Sequence, residues 1–177
     1  QQCKVVNVDG GTDYRLRTLE KVPLYCSPLN QQSASDIANI FDRLVPVEGE
    51  IKAGVDLEVE GRSIPVIKLS EDIVWFNFAA VCEGPRSQND YIDIAREFHA
   101  VIIADIPALG AGNDDAARRF VNLVDEFYDR NVKLAISAAQ PLQTLYSGGR
   151  LSFEFERTQS RLLEMQSHEY LARPHRP

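Results

Sequence analysis

The sequence predicts an α/β fold that contains a βαβ unit and a small antiparallel β-meander. Two continuous apolar runs, Ala100–Ile106 and Val132–Ala138, flank a segment with helical spacing, as parallel strands joined by a crossover helix do. Between Gly54 and Phe78, apolar residues alternate with polar ones in three short runs, which is typical of antiparallel strands. We therefore divide the chain into a β-rich segment, 1–84, with one helix and the meander, and an α/β segment, 85–177, that ends in a long helix.

The β-rich segment begins with three short strand predictions. Lys4–Val8 is apolar and β-branched, Tyr14–Leu19 alternates as a half-exposed strand does, and Val22–Tyr25 continues as another strand. Ser35–Leu44 carries apolar residues at helical spacing behind Ser35, which predicts a helix capped by that serine.

The α/β segment is predicted to hold three helices around its two buried strands. Ser87 is placed to cap a helix that starts at Asn89 and carries Tyr91, Ile94, Ala95 and Phe98 on one face. Asn113 is placed to cap the crossover helix between the two strands. The last helix is predicted to run from Phe155 to Leu171.

Composition limits the classes of function. The chain has 177 residues, 44% of them apolar, and a formal net charge of -7, which argues against a large nucleic-acid-binding surface. No apolar run approaches the length of a membrane span. Three widely spaced cysteines favour reduced thiols in a cytosolic compartment, and three scattered histidines lack metal-ligand spacing, so we predict no metal site; these residues are Cys3, Cys26, Cys82, His99, His168 and His175.

No phosphate-binding loop is present in the sequence. The pairs Gly10-Gly11 and Gly148-Gly149 are not followed by the lysine and hydroxyl residue of such a loop, so we expect the chain alone to bind no ATP. Asp105 ends a buried strand, where a magnesium-holding aspartate of an ATPase would lie, and Ser137 ends the neighbouring strand. A strand-end aspartate is more often a turn residue, and Ile106 occupies the place of the usual catalytic glutamate.

Two arginine pairs are the candidate site residues. Arg118 and Arg119 each follow an aspartate by four residues, so they form salt bridges within the helix or present one guanidinium to a subunit interface. Arg157 and Arg161 lie on a polar stripe of the last helix with Glu164 and His168; the stripe is either solvated, with an Arg161–Glu164 pair, or carries an arginine that contacts a γ-phosphate.

Four ordered blocks carry a family resemblance, which covers nearly the whole chain and is weakest over residues 31–74. The sequence resembles the C-terminal half of the ZapE-like AAA+ ATPase family, which comprises bacterial cell-division ATPases related to the mitochondrial Afg-type ATPases. Arg157 and Arg161 match the family's R-x-x-S-R segment, and Arg118-Arg119 match its RRF segment. The blocks are Val6–Leu19, Pro85–Leu109, Ala117–Tyr146 and Phe153–Leu171.

The resemblance implies a P-loop ATPase whose nucleotide-binding segments precede Gln1. The chain is then the C-terminal region of an AAA+-type ATPase that uses ATP and magnesium, and it is inactive alone. The bacterial proteins regulate FtsZ and Z-ring assembly in the cytoplasm, and the mitochondrial relatives take part in protein quality control. Implied partners are FtsZ, other divisome proteins and further copies of the chain in a homo-oligomer. Because the sequence also lacks an initiator Met and starts at once with a strand-like run, we expect a piece of a longer protein.

Two functional hypotheses remain open at this point. In the first, the chain contributes subunit-interface arginines to a complete ATPase. In the second, it is a non-enzymatic module whose β-meander docks FtsZ or another client through a sheet edge.

Overall fold

A computed structural model describes residues 14–177 of the chain. The predicted strand Lys4–Val8, the Gly10-Gly11 pair and Cys3 lie outside these residues. The helices are α1 (residues 14–21), α2 (Gln31–Leu44), α3 (Phe78–Cys82), α4 (Gln88–Glu97), α5 (Asp114–Asp129), α6 (Ser152–Glu164) and α7 (His168–Leu171). The strands are β1 (Tyr25–Cys26), β2 (Lys52–Ala53), β3 (Asp56–Val59), β4 (Arg62–Pro65), β5 (Lys68–Leu69), β6 (Ile73–Asn77), β7 (Ala100–Ile106), β8 (Leu109–Gly110), β9 (Lys133–Ala138) and β10 (Tyr146–Ser147).

A six-stranded mixed sheet with the order β1-β9-β7-β6-β5-β2 forms the centre of the fold. The first four of these strands are parallel, and β5 and β2 add an antiparallel edge. The predicted βαβ unit is confirmed, because β7 and β9 are parallel neighbours connected through α5. The predicted α/β class is therefore correct. The sheet takes strands from both segments, 1–84 and 85–177.

Helices cover both faces of this sheet. The connections through α4 and α5 lead from β6 to β7 and from β7 to β9, towards the β1 edge of the sheet. The connection through α2 leads from β1 towards the opposite edge, where β2 lies. Right-handed crossovers that run in opposite directions place their helices on opposite faces. Accordingly α2 packs on β9, β7 and β6, while α5 contacts α3, α4 and α6. The core between the layers is rich in aromatic side chains, including Phe41, Phe76, Phe78, Phe120, Phe127 and Tyr91.

The strand prediction for Tyr14–Leu19 is wrong, because residues 14–21 form helix α1. The buried residues Thr18 and Leu19, together with the partly buried Leu16, form the inner face of one helical turn. Six residues of alternation fit either period, and arginine and leucine favour helix. The neighbouring prediction Val22–Tyr25 is displaced, since β1 comprises Tyr25 and Cys26.

Two helix boundaries also differ from the predictions. Helix α2 begins at Gln31, because Asn30 forms a reciprocal capping box with Ser33, so Ser35 lies inside the helix. The predicted last helix is two helices. The Ser167 hydroxyl donates to the Glu164 carbonyl and accepts from the Tyr170 N–H, and it thereby ends one helix and caps the next. The Ser87 boundary is confirmed, with α4 starting at Gln88.

The predicted β-meander is divided between two sheets. Strands β3 and β4 pair as an antiparallel hairpin of their own, whereas β5 pairs with β6 in the central sheet. Strand β6 then lies parallel to β7, so the third run of the predicted meander belongs to the α/β core. Ile73, Val74 and Phe76 are fully buried there, as residues of a central strand are.

Within residues 14–177, no helix has the length and apolar character needed to cross a membrane.

Candidate functional site

Arg157 and Arg161 lie on α6 and share one carboxylate of the neighbouring helix α5. Arg157 Nη2 lies 3.2 Å from Asp125 Oδ2, and Arg161 Nη1 forms an ion pair with Asp125 Oδ1. The two helices run side by side in the same direction. Glu154, near the start of α6, pairs with Arg118 in an early turn of α5, and Arg161, later in α6, pairs with Asp125, later in α5. Asp125 therefore fixes both arginines of the R-x-x-S-R segment on one face of the helix pair.

The two arginines differ in exposure. The Arg161 side chain is 25% exposed and its guanidinium carbon lies 4.8 Å from the centre of the Tyr128 ring, whereas the Arg157 side chain is 58% exposed. A guanidinium that is stacked on an aromatic ring and paired at its tip is held in place. Arg161 is thus part of the α5–α6 contact, and Arg157 is accessible from outside.

The Arg161–Glu164 pair considered from the sequence does not form. Glu164 Oε2 instead accepts a hydrogen bond from the Tyr128 hydroxyl at 2.8 Å and pairs with Arg173 at 3.2 Å. His168 pairs with Glu20 of α1. The polar stripe is therefore engaged with other elements rather than being solvated along its length. On the adjacent face, Thr158, Leu162 and Met165 are buried.

The side chains of Arg118 and Arg119 contact different elements of the fold. Arg118 Nη2 lies 3.7 Å from Glu154 of α6 and its side chain is 57% exposed. Arg119 Nη1 donates to the Cys82 carbonyl at 3.1 Å and so joins α5 to α3. The expected partner Asp114 is occupied elsewhere, because its carboxylate accepts from the Tyr146 hydroxyl at 2.6 Å and this bond lowers the pKa of Asp114. The expected pairs within α5 are replaced by contacts between elements.

The carboxyl ends of three parallel strands bring Asn77, Asp105 and Ser137 together. The Asn77 amide donates to Asp105 Oδ2 at 3.0 Å, and the Ser137 hydroxyl accepts from the Asp105 N–H at 2.9 Å. Asp105 has a φ of 65°, beside a register irregularity between Ile103 and Ile106. The sequence analysis identified Asp105 and Ser137 but missed Asn77. Asn77 could be placed beside Asp105 only if β6 were known to pair in parallel with β7. Asp105 supplies the one carboxylate among these three side chains.

The glycine pair at 148–149 forms a turn rather than a phosphate cradle. Gly148 has a φ of 75°, and a Cβ on Gly149 would lie 2.0 Å from the Tyr146 hydroxyl, so this pair allows β10 to approach the start of α6. Over residues 14–177, no group of three or more His, Cys, Asp or Glu side chains could hold a metal ion. The described part of the chain thus offers accessible arginines on α5 and α6 as its candidate site.

Comparisons with known proteins give one consistent family. The family described as AFG1-like ATPase matches residues 1–174. The chain is 43% identical over 175 residues to the cell division protein ZapE of Escherichia coli K12, which covers 99% of this chain and 46% of that protein. It is 29% identical to lactation elevated protein 1 homolog B of Danio rerio, over 96% of this chain and 40% of that protein. No solved structure matches significantly. The chain thus spans about half the length of the curated relatives it matches.

Proposed function

The chain belongs to the AFG1-like ATPase family, and from this premise we propose that it is the C-terminal region of a P-loop, AAA+-type ATPase that acts in cell division. ATP and magnesium bind to the preceding half of the longer protein, and the present region is inactive alone. Three features support this proposal: the missing phosphate loop, the α/β fold, and the match to about half the length of each relative.

The contribution of this region to hydrolysis is an arginine that reaches a nucleotide held by another part of the protein or by a neighbouring subunit. The observation that carries this role is the pairing of Arg157 and Arg161 on Asp125, with Arg157 exposed. A guanidinium stabilises the charge of a transferring phosphoryl group because it presents several fixed donors. Arg157 is the residue that contacts phosphate, Arg161 holds Asp125 in place, and Arg118 is a weaker candidate on the same face.

The first test compares arginine variants in the longer protein. If Arg157 acts on the γ-phosphate, Arg157→Ala lowers the kcat of ATP hydrolysis by about a thousandfold, the lower range for an arginine finger, with little loss of stability. Arg161→Ala also slows hydrolysis, and it lowers the melting temperature further because it removes a partly buried contact. Arg96→Ala, an exposed helix arginine on α4, serves as the matched control. Full activity in both Arg157→Ala and Arg161→Ala removes these arginines from the mechanism.

The longer protein regulates FtsZ and Z-ring assembly from the cytoplasm, and copies of it associate as a homo-oligomer. The supporting observation is the similarity to a protein named for cell division. An exposed Arg157 next to Phe153, whose side chain is 83% exposed, gives α6 a surface for contact with another protein or subunit.

A second candidate function is a non-enzymatic module that docks FtsZ or another client. It is favoured by the β3–β4 hairpin, which forms a separate two-stranded sheet with short edges that can accept an added strand. Co-sedimentation of this chain with FtsZ polymers, without nucleotide, tests it. We expect binding that Glu58→Lys on the hairpin weakens and that Glu97→Lys on α4 leaves unchanged. Failure of this chain to bind, while the preceding half of the longer protein binds, rules the module out.

A further inference from the structure

An apolar cavity of about 280 Å³ lies at the amino-terminal edge of the sheet. It opens to the surface and is lined by residues of α1, the end of α2, the first residues of β6 and β9, the segment 99–100 before and at the start of β7, helix α7 and the residues that follow α7. We call it the α1–tail cavity. Apolar side chains dominate its wall, and they belong to Leu16, Leu19, Leu44, Ile73 and Leu171. A cavity with such a wall and a few converging polar groups is the usual form of a small-molecule site.

Every ionisable side chain that lines the α1–tail cavity is basic, whereas the chain as a whole has a net charge of -7. Among the described residues, no carboxylate belongs to the lining. Arg15, Lys133 and Arg173 are positively charged at neutral pH, and positive charge next to an apolar wall favours an anionic group at that position. The basic residues are Arg15, His99, Lys133, Arg173 and His175.

Asp72 lies behind two of these groups and orients them. Its Oδ2 accepts from Arg15 Nη2 at 2.8 Å and from His99 Nε2 at 2.9 Å, and Arg15 Nη1 lies 3.3 Å from His99 Nδ1. These contacts fit an imidazole that donates through Nε2 and accepts through Nδ1. His175 is fixed separately, with Nε2 2.6 Å from the Ala95 carbonyl oxygen. The basic side chains are therefore held in position without a ligand.

Within residues 14–177, no carboxylate pairs with Lys133. Its side chain is 8% exposed, and Nζ donates to the carbonyls of Asn131, Tyr170 and Arg173 at 2.9, 3.4 and 2.6 Å. Carbonyls satisfy its hydrogen bonds but do not neutralise its charge, and buried charges are normally paired. Burial, and then the neighbouring Arg173, lower the pKa of Lys133 to about 8. An anion in the cavity would supply the missing countercharge.

We propose that the α1–tail cavity binds a small amphipathic carboxylate, with the hydrocarbon chain among the leucines and the carboxylate beside Arg15 and Lys133. The volume suits a medium-length chain rather than a drug-sized ring system. The carboxylate could come from a free fatty acid or from the C-terminus of a peptide that ends in an apolar residue. The proposal is independent of ATP hydrolysis and of the arginines on α6.

Calorimetric titration with octanoate, octanol, octyltrimethylammonium and N-acetylleucine tests the chemistry of this site. We expect octanoate to bind and octanol to bind at least roughly tenfold more weakly, because octanol carries no negative charge for Lys133 and Arg15 to attract. The ammonium ligand should not bind. N-acetylleucine distinguishes the sources: tighter binding than octanoate assigns the carboxylate to peptide C-termini, and weaker binding assigns it to fatty acids. Equal affinity for octanoate and octanol, or no binding of either carboxylate at millimolar concentration, overturns the proposal.

Variants locate the binding to the α1–tail cavity. Leu19→Trp fills the cavity and should abolish octanoate binding, while Arg15→Gln should weaken it roughly tenfold. Lys133→Met should remove the preference for octanoate over octanol; if it does not fold, Arg15→Gln provides the same comparison. Leu163→Ser, at an exposed apolar residue of α6, is the control that should leave binding unchanged. Unchanged octanoate affinity in Leu19→Trp places the binding elsewhere and overturns the proposal.

Discussion

At the scale of single residues, Asp72 joins helix α1 to the sheet. It follows β5, precedes β6, and holds Arg15 of α1 and His99 at the start of β7. Burial alone would raise the pKa of Asp72, but the hydrogen bonds and charges of His99 and Arg15 outweigh it and lower the pKa to about 2. The ionised carboxylate is therefore favoured by the folded state.

This shift gives a pH-dependent contribution to stability. The folded pKa of about 2 lies below the ordinary value for an unfolded aspartate, so the contribution is complete above about pH 4 and is lost as the pH falls towards 2. We expect Asp72→Asn to lower the free energy of unfolding by about 1–2 kcal/mol near pH 7, and the difference from wild type to shrink in acid.

Urea unfolding of both proteins from pH 2 to pH 7 measures this difference. Asp42→Asn, at an exposed position on α2, is the control that should follow wild type throughout. A constant difference between Asp72→Asn and wild type down to pH 2 would show that the charge of Asp72 contributes nothing.

The two arginines of the R-x-x-S-R segment show what residue patterns can predict. Their spacing correctly indicated one face of one helix, and the family resemblance singled them out. Their different surroundings depend on Tyr128 and Asp125, more than thirty positions earlier in the chain. Likewise, His99 and His175 look unrelated in the sequence, yet their ring centres lie 5.9 Å apart. Such contacts arise from packing between elements, which local periodicity does not contain.

At the scale of elements, Asp90 fastens the β3–β4 hairpin to α4. This carboxylate is fully buried, and its Oδ2 lies 2.7 Å from the Ser87 N–H that it caps and 2.6 Å from Arg62 of β4. One side chain therefore both starts a helix and anchors a hairpin that lies outside the central sheet. Removing either the buried carboxylate or its partners leaves a buried polar group unpaired, which lowers the free energy of unfolding.

Replacing Asp90 should consequently loosen two elements at once. We expect Asp90→Ala to lower the free energy of unfolding by about 2 kcal/mol, through the lost cap and the lost ion pair together. Amide hydrogen exchange should become faster in both the hairpin and the first turn of α4. Asn89→Ala, one residue earlier and exposed, is the matched control. Faster exchange in α4 alone would mean that the hairpin is held by its apolar residues.

Long elements were predictable, and so were the short antiparallel strands β3, β4 and β5, whereas the short elements α1 and β1 were not. The strands β7 and β9 and the helices α4 and α5 have continuous patterns of six or more residues, and all four were identified from the sequence. Helix α1 was predicted as a strand, and the break after α6 was missed. One buried turn makes α1 a helix, and the hydrogen bonds of Ser167 end α6. Neither feature changes the apolar pattern of the sequence appreciably.

At the scale of the whole molecule, the central sheet unites residues that the sequence divides into two segments. The α/β class and the βαβ unit followed from the apolar runs, but the positions of β1 beside β9 and of β6 beside β7 did not. Strand β1 has only two residues, and β6 follows β5 in the chain within the stretch predicted as an antiparallel meander. Their places follow from tertiary pairing, which overrides local preference for short strands.

The pairing of β1 with β9 has a consequence for the order of events during synthesis. Tyr25 pairs with Ile136, so about 110 residues separate the two partners. At common translation rates, β1 is synthesised roughly 5–20 seconds before β9. During that interval the apolar face of α2 lacks the strand on which it packs, because β9 is also a principal contact of α2. The apolar face of α2 therefore stays uncovered by β9 until the last strand of the central sheet has been made.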